Sequence, residues 1–158
     1  MMVVGLAFIL ACAPFALMAQ EAQVGSFFTD SNVILSVTDV RKSVAFYETV
    51  LEFKLEHYVI GSAKEVTTLS SSDPEPYAAD LLAGVQRISL EKSVDPPKPG
   101  AARYVFHVKD AAAYYDRIVK RGVSVQLIAQ DAVGRPFWFS IVDPDGHWFM
   151  FMGPVGRR

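Results

Sequence analysis

Apolar and polar residues alternate from Asn32 to Thr38, which predicts a β-strand with one buried face. Asp39 follows at the position of a helix N-cap, and apolar residues then recur at helical spacing from Val40 to about Leu51. The pattern therefore predicts a strand that runs directly into an amphipathic helix. The residues expected on the buried face of the strand are Val33, Leu35 and Val37.

The same pattern returns in the second half of the chain. A strand is predicted from Arg103 to Val108, and Asp110 takes the place of the capping Asp39. The second helix is expected to end at Arg121, because a basic last turn followed by a glycine favours helix termination. The chain is therefore predicted to consist of two copies of one unit.

Further strands are predicted after each helix. In the first copy they run from Leu55 up to Gly61, from Glu65 to Leu69 and from Val85 to Glu91, with a loop at 71–77 and a loop or single helical turn from Leu81 to Gly84. In the second copy they run from Val123 to Ile128, from Pro136 to Val142 and from His147 to Met152, with an Asp-Pro-Asp-Gly turn at 143–146. Each copy is thus one strand, one helix and three strands, which predicts an α+β fold of two βαβββ modules.

Proline and glycine mark the boundary between the two copies, in the segment DPPKPG at 95–100. The predicted organisation is a single domain over residues 32–152. It is divided into module one at 32–92, the Pro-rich linker at 95–100 and module two at 101–152. A linker at 20–31 precedes the domain, and a tail at 153–158 follows it.

The first nineteen residues carry no charged side chain and end at the small residue Ala19. This pattern predicts a signal peptide at 1–19 and an exported protein, periplasmic or secreted, although the basic residue that usually precedes the apolar core is missing. Two alternatives stay open. Ile9-Leu10-Ala11-Cys12 resembles a lipoprotein cleavage site, and the segment is just long enough for a membrane anchor. Association with a membrane is expected only if Cys12 is lipidated or the segment is retained.

Composition removes several classes of function. The chain has 15 basic and 17 acidic residues, and its net charge of -2 offers no basic excess for a nucleic-acid partner. Cys12 is the only cysteine and lies in the predicted signal peptide. The mature chain is therefore predicted to lack a disulfide, a cysteine nucleophile and a thiolate metal ligand.

Two motifs carry a resemblance to a known family. They are VxDxxxSxxFYxxxLxF from Val37 to Phe53 and the Asp-Pro-Asp-Gly turn at 143–146. Together with the repeat, they resemble the vicinal oxygen chelate superfamily, which includes glyoxalases, extradiol dioxygenases, fosfomycin-resistance proteins and bleomycin-binding proteins. The resemblance implies paired βαβββ modules that form a curved mixed sheet around one cleft, and often a homodimer.

Enzymes of that superfamily usually hold a divalent metal through His, Gln or Glu side chains on four strands. The resemblance places Asn32, Ser89, Arg103 and Met150 at the corresponding positions of this chain. None of these is a good ligand for a hard cation, and the guanidinium of arginine stays protonated. No metal ligand and no cofactor are therefore predicted, and the alternative is a divalent metal at an unrecognised site.

Strand alternation assigns a mixed set of polar and apolar residues to the cleft. Of the three histidines, only His107 is expected there, while His57 and His147 are expected to be structural. A guanidinium can bind a carboxylate or phosphate, and an indole can cover an aromatic group, so the expected ligand is a small anionic or polar, partly aromatic molecule. The plainer alternative is that Arg87, Glu91 and Arg103 pair with one another. The expected ligand-binding residues are Asn32, Ser36, Arg87, Ser89, Arg103, His107, Trp148 and Met150.

Two functions follow from this cleft. The favoured one is a binding module that holds a ligand without a metal and performs no chemistry. The alternative is a divergent glyoxalase-like or dioxygenase-like enzyme, a lyase, isomerase or oxidoreductase. In that enzyme His107 would act as the base and Arg103 would stabilise an anion, or an unrecognised metal would supply the chemistry.

Overall fold

The computed structural model describes residues 31–95, 98 and 103–156. The predicted signal peptide at 1–19, the lipidation site at Cys12 and most of the two predicted linkers lie outside the described residues. Neither of the helices in the described part of the chain is long and apolar enough to span a membrane.

Two modules of strands and one helix each make up the described chain, which confirms the predicted α+β fold and its repeat. The first module contains β1 (Asn32–Val37), α1 (Val40–Thr49), β2 (Lys54–Ile60), β3 (Lys64–Val66), β4 (Ala78–Ala83) and β5 (Gln86–Lys92). The second contains β6 (Arg103–His107), α2 (Ala111–Lys120), β7 (Gln126–Gln130), β8 (Pro136–Val142) and β9 (Trp148–Met152).

The strands form two separate mixed sheets, one for each module. Their strand orders are β1-β5-β4-β2-β3 and β6-β9-β8-β7. In each sheet the first strand of the module pairs in parallel with the last, and the remaining neighbours are antiparallel. Each helix lies within the connection that a parallel pair requires, so the strand-to-helix step seen in the sequence determines the topology.

The prediction of a loop or helical turn from Leu81 to Gly84 was wrong. This segment belongs to β4, which lies between β5 and β2 and buries Ala79 and Leu81 completely. Hydrogen bonds to two neighbouring strands outweigh the weak β-propensity of its alanines, which is a tertiary effect. Gly84, with φ of +67°, then supplies the left-handed residue in the tight turn into β5.

One apolar core is shared by the two modules. The ring of Tyr47 on α1 packs edge-on against Phe149 of β9, and Phe53 packs against Phe106 of β6. On β1, Leu35 and Val37 are almost fully buried, as the alternation predicted. The modules are therefore joined through the inner faces of their sheets, and the opposite face of each sheet is turned away from this core.

The Asp-Pro-Asp-Gly turn between β8 and β9 binds the start of the first module. One carboxylate oxygen of Asp145 accepts hydrogen bonds from the amide and the hydroxyl of Thr38, at 2.8 and 2.7 Å, and the other accepts one from Ser43 at 2.7 Å. Asp143 accepts a short, buried hydrogen bond from the hydroxyl of Tyr47. The two sequence motifs that carry the family resemblance thus meet in space and form one junction between the modules.

Burial and hydrogen bonding act in opposite directions on the two carboxylates of this junction. Burial raises the pKa of Asp143 above its usual value, and the bonds from Tyr47 and from the backbone of His147 offset only part of that effect. Burial also acts to raise the pKa of Asp145, but the bonds from Thr38 and Ser43 outweigh it and lower the pKa. The hydroxyl of Tyr47 has a strongly raised pKa because it is buried beside Asp143.

We predict that Tyr47→Phe lowers the free energy of unfolding by about 2 kcal/mol, because the buried carboxylate of Asp143 loses a hydrogen-bond donor. The measurement is urea denaturation followed by tryptophan fluorescence. Tyr104→Phe is the matched control, because this ring also packs against Phe149 while its hydroxyl makes no hydrogen bond to the described residues. Equal losses in the two variants would contradict the assigned role of the Tyr47 hydroxyl.

Candidate functional site

Each sheet has a face that points away from the shared core, and the predicted ligand-binding residues lie on these two faces. Register between neighbouring strands decides which side chains share a face. We call the first open face the one formed by Asn32, Ile34, Ser36, His57, Asp80, Arg87, Ser89 and Glu91. We call the second open face the one formed by Arg103, Val105, His107, Trp138, Ser140, Val142, Trp148, Met150 and Met152.

A chain of hydrogen bonds crosses the first open face. The amide nitrogen of Asn32 donates to the hydroxyl of Ser89 at 2.6 Å, and Ser89 donates a short hydrogen bond to Asp80. The other carboxylate oxygen of Asp80 lies 3.5 Å from Nε2 of His57, which is also 3.7 Å from Glu65. The hydroxyl of Ser89 thus both accepts and donates in this chain, and the carboxyl group of Asp80 lies between Ser89 and His57.

His57 is a half-buried residue of β2, as expected for a structural strand residue, but it lies on the first open face, where no histidine was expected. A β-bulge between Leu55 and His57 shifts the register of β2, so that His57 faces Asp80 of β4. Simple alternation cannot reveal such a shift. Asp80 was missed for a different reason, because no strand was predicted where β4 lies.

The charged residues on the two faces do not pair with one another as the plainer alternative supposed. Arg87 pairs with Glu56 at 3.1 Å, a partner that the bulge in β2 brings within reach. Arg103 is held instead by an aromatic ring, since its guanidinium lies 5.3 Å from the centroid of Trp148. This geometry is that of a cation–π contact.

Arg103 differs from every other arginine in the described ranges 31–95 and 103–156. Each of the others forms an ion pair with a carboxylate at 3.2 Å or less. Arg103 has no carboxylate partner among the described residues, and it is exposed at the edge of its sheet. Its guanidinium N–H groups are therefore available to an anion from solution.

Three rows of side chains cross the second open face from β6 to β8. They are Arg103, Trp148 and Val142, then Val105, Met150 and Ser140, then His107, Met152 and Trp138. Within the part of the chain that the structure describes, the indole nitrogen of Trp138 is buried without a hydrogen-bond partner. Trp138, Ser140 and Val142 were not among the predicted site residues, although alternation along β8 alone would have placed them beside Trp148.

The predicted ligand-binding residues thus form two groups on different sheets. Asn32 and Ser89 are bonded to each other on the first open face, where Ser36 and Arg87 also lie. Arg103 and Trp148 are in contact on the second, next to the row of Met150, with His107 at the far end. Among the described residues no hydrogen bond or ion pair joins Asn32 or Ser89 to Arg103.

The residues at the positions of the family's metal ligands do not suit a divalent cation. Asn32 and Ser89 use their polar groups on each other, Arg103 lies over an indole, and Met150 offers only a thioether that is 9% exposed. Hard cations prefer carboxylate and carbonyl oxygens, and none of these four side chains is a carboxylate. Across the described residues, no group of three or more His, Cys, Asp or Glu is placed to hold a metal ion.

Comparison of the sequence with protein families gives one match over most of the chain. The model of the Glyoxalase/Bleomycin resistance protein/Dioxygenase superfamily matches residues 31–151. That range contains both motifs of the junction and every residue of the two open faces except Met152. A comparison with curated proteins gave no match.

Solved structures with the same fold come from several bacteria. The E126Q mutant of the fosfomycin resistance protein FosX from Listeria monocytogenes, in complex with Mn(II) and 1S,2S-dihydroxypropylphosphonic acid, is 19% identical. That comparison covers 79% of this chain and 91% of FosX, with a TM-score of 0.58. TioX from Micromonospora sp. ML1 is 18% identical over 80% of this chain and 98% of its own, with a TM-score of 0.59. The bleomycin-binding protein of Streptomyces verticillus, in complex with copper(II)-bleomycin, is 18% identical over 82% and 98%, with a TM-score of 0.54.

Proposed function

We propose a ligand-binding function for this chain, which belongs to the Glyoxalase/Bleomycin resistance protein/Dioxygenase superfamily. The proposed ligand is a small molecule with a carboxylate or phosphate group attached to an aromatic ring. It binds at the second open face without a metal. Arg103 holds its anionic group and Trp148 covers its ring.

The observation that carries this proposal is the unpaired guanidinium of Arg103 over the ring of Trp148. The indole fixes the side chain without using its N–H groups, so an anion can receive two parallel hydrogen bonds at little cost in side-chain entropy. Val105, which is 50% exposed, and Met152 continue the face as an apolar surface beside this pair. A charged group next to an apolar surface fits an amphipathic ligand.

The structural neighbours are compatible with this proposal without specifying the ligand. The bleomycin-binding protein holds copper(II)-bleomycin, and FosX holds Mn(II) with a phosphonic acid. At 18% and 19% identity, these likenesses extend to the fold. The bleomycin-binding protein shows that a protein of this fold can bind a small molecule. FosX contains Mn(II), whereas the four side chains of the present chain at the family's metal positions are unsuited to a divalent cation.

The enzyme alternative has less support. His107 lies on the same face as Arg103, at the opposite end of β6, but none of the described residues forms an ion pair or hydrogen bond with it. Glu91, a carboxylate that could orient a histidine base, belongs to the first open face on the other sheet. A general base needs a partner that sets its orientation and protonation, and His107 has none among the residues described.

We predict that Arg103→Met weakens the binding of 2-naphthoate at least tenfold, because the carboxylate loses a charge-assisted pair of hydrogen bonds. Binding is measured by isothermal titration calorimetry and by quenching of tryptophan fluorescence, with and without EDTA. Arg41→Met is the matched control, since that arginine lies on α1, outside both open faces, and already pairs with Glu75. 2-Naphthalenemethanol, which has the same ring system without the carboxylate, tests whether the anionic group of the ligand is needed for binding.

Two results would overturn the proposal. One is a naphthoate affinity that is unchanged in Arg103→Met, and the other is an affinity that disappears when EDTA removes divalent metal. Failure of the full chain to bind any aromatic carboxylate or phosphate at millimolar concentration would also exclude the proposed ligand class.

We also propose that the chain forms a homodimer through its open faces. Ile34 on the first face and Val105 and Val142 on the second are 57%, 50% and 45% exposed, which leaves apolar side chains on both. The carboxylates of Asp80 and Glu91 give the first face acidic character, since Arg87 on that face already pairs with Glu56, while the second face carries the guanidinium of Arg103 and none of its residues has a carboxylate. A twofold axis would place the first face of one copy against the second face of the other. The ligand would then lie between them.

The dimer predicts a mass of twice 17.4 kDa for the full chain in size-exclusion chromatography with light scattering. Val105→Asp should shift the protein towards the monomer, because it places a carboxylate opposite the acidic face. Val119→Asp, at an exposed valine on α2, is the control. A wild-type monomer at high micromolar concentration would contradict the dimer.

We further propose that the protein is exported. The proposal rests on the uncharged apolar segment at 1–19, which has the pattern of a signal peptide. The measurement is mass spectrometry of the protein recovered from the periplasmic fraction and medium of an expressing bacterium. Cleavage after Ala19 is the expected result. A chain that keeps its initial methionine in the cytoplasm would contradict export, and a lipid on Cys12 would identify a lipoprotein instead.

A further inference from the structure

A cavity of about 300 Å³ lies at the edge of the second sheet, next to the second open face. Three of the residues that line it, Gln126, Ser140 and Val142, come from neighbouring positions on β7 and β8. Val142 is also the direct strand neighbour of Trp148. The cavity therefore begins where the row of Arg103 and Trp148 ends. Its remaining lining residues are Val123, Ser124 and Ile141.

Two of the polar side chains that line this cavity form no hydrogen bond with any residue that the structure describes. Ser140 is 98% buried, with a relative exposure of 2%, and its hydroxyl makes no hydrogen bond to any of the described residues. The side-chain amide of Gln126 likewise makes no hydrogen bond within the described ranges. Because Trp138 Nε1 is the one buried side-chain N or O atom of the described residues that lacks a partner, the Ser140 hydroxyl is accessible from the cavity, where it can donate to or accept from a polar group of a ligand.

We propose that this cavity selects among the ligands of the second open face, by taking a neutral hydroxyl or amide group that the ligand carries at the end opposite its anion. The inference rests on the proposed function, in which Arg103 holds the anion over Trp148. This requirement restricts the ligand class that was proposed above. It is an aromatic acid with a hydrogen-bonding substituent on the far side of its ring system, and Ser140 and Gln126 recognise that substituent.

The spacing of the strands supports this assignment. Val142 lies two strand spacings from Arg103, about 10 Å, and Ser140 is two residues further along β8, which makes its backbone separation from Arg103 about 12 Å. A bicyclic aromatic acid with a substituent at its distal end spans nearly this distance. A single ring is too short to place its carboxylate on Arg103 and a hydroxyl beside Ser140 at the same time.

The test compares 2-naphthoate with 6-hydroxy-2-naphthoate, which differ by one hydroxyl group. Wild-type full-length protein is expected to bind the hydroxylated acid roughly tenfold more tightly, the value of about one net hydrogen bond. In Ser140→Ala this advantage should fall to less than twofold, while the affinity for 2-naphthoate stays within twofold of wild type. Isothermal titration calorimetry gives both affinities.

A second variant keeps the test decisive if Ser140→Ala does not fold. Gln126→Ala changes an exposed residue of the edge strand β7 and is expected to remove part of the advantage of the hydroxylated acid. Gln130→Ala, at the other end of the same strand, is the control and should leave the advantage intact. Circular dichroism and urea denaturation confirm that each variant is folded before its affinities are compared.

The outcomes separate this inference from the proposed function. Binding of 2-naphthoate that depends on Arg103, with no advantage for the hydroxylated acid, would overturn the inference and leave the proposed function standing. An advantage that persists in both Ser140→Ala and Gln126→Ala would overturn it as well. If neither acid binds in a manner that depends on Arg103, the proposed function fails and the inference fails with it.

Discussion

The short hydrogen bond from Tyr47 to Asp143 is the contact on which the arrangement of the two modules depends. Both groups are buried, with relative exposures of 0% and 5%. A carboxylate in such surroundings is costly unless donors surround it, and the phenol and the backbone amides of Asp145 and His147 supply them. The ring of Tyr47 also packs against Phe149, so one side chain contributes both a polar and an apolar contact between the modules. The inner faces of the two sheets close around this junction, and their other faces remain open.

A second set of contacts joins the two modules where the first helix ends. They connect the second helix to residues 50–52. Arg121 and Arg117 both pair with Glu52, a residue with φ of +59°, and Arg121 also donates to the carbonyl of Val50 at 2.8 Å. The hydroxyl of Tyr114 donates to the carbonyl of Leu51 at 2.8 Å. These residues from the second helix satisfy backbone groups where the first helix ends. The two junctions together explain why the modules share one core although each has its own sheet.

The two open faces differ in how many of their polar side chains form hydrogen bonds within the protein. On the first, hydrogen bonds join Asn32, Ser89 and Asp80, and His57 lies 3.5 Å from Asp80. On the second, Arg103, Ser140 and the indole nitrogen of Trp138 have no hydrogen-bonding partner among the described residues. Unused donors beside apolar side chains are the usual mark of a surface that recognises a ligand. This contrast is why the proposed ligand site lies on the second face, although the family resemblance drew equal attention to both.

Local patterns in the sequence determined the elements and their order. Alternation identified β1, β5, β6 and β8, the two aspartates identified both helix starts, and the repeat identified the fold. Side chains that share a strand face, such as Trp148 and Met150, could be named in the same way. The aspartates at 39 and 110 do cap the helices, each accepting a hydrogen bond at 3.0 Å from the backbone amide three residues later.

Only the tertiary structure decided which of these side chains meet. It brought Asp80 to Ser89 across neighbouring strands, and it used a bulge to turn His57 and Glu56 towards partners that alternation does not predict. It also placed Arg103 over Trp148 and left Ser140 facing a cavity. The physical reason is that a sequence pattern repeats with the period of a single strand or helix. Contacts between strands depend on register, bulges and the packing of one module on the other, and these are properties of the whole fold.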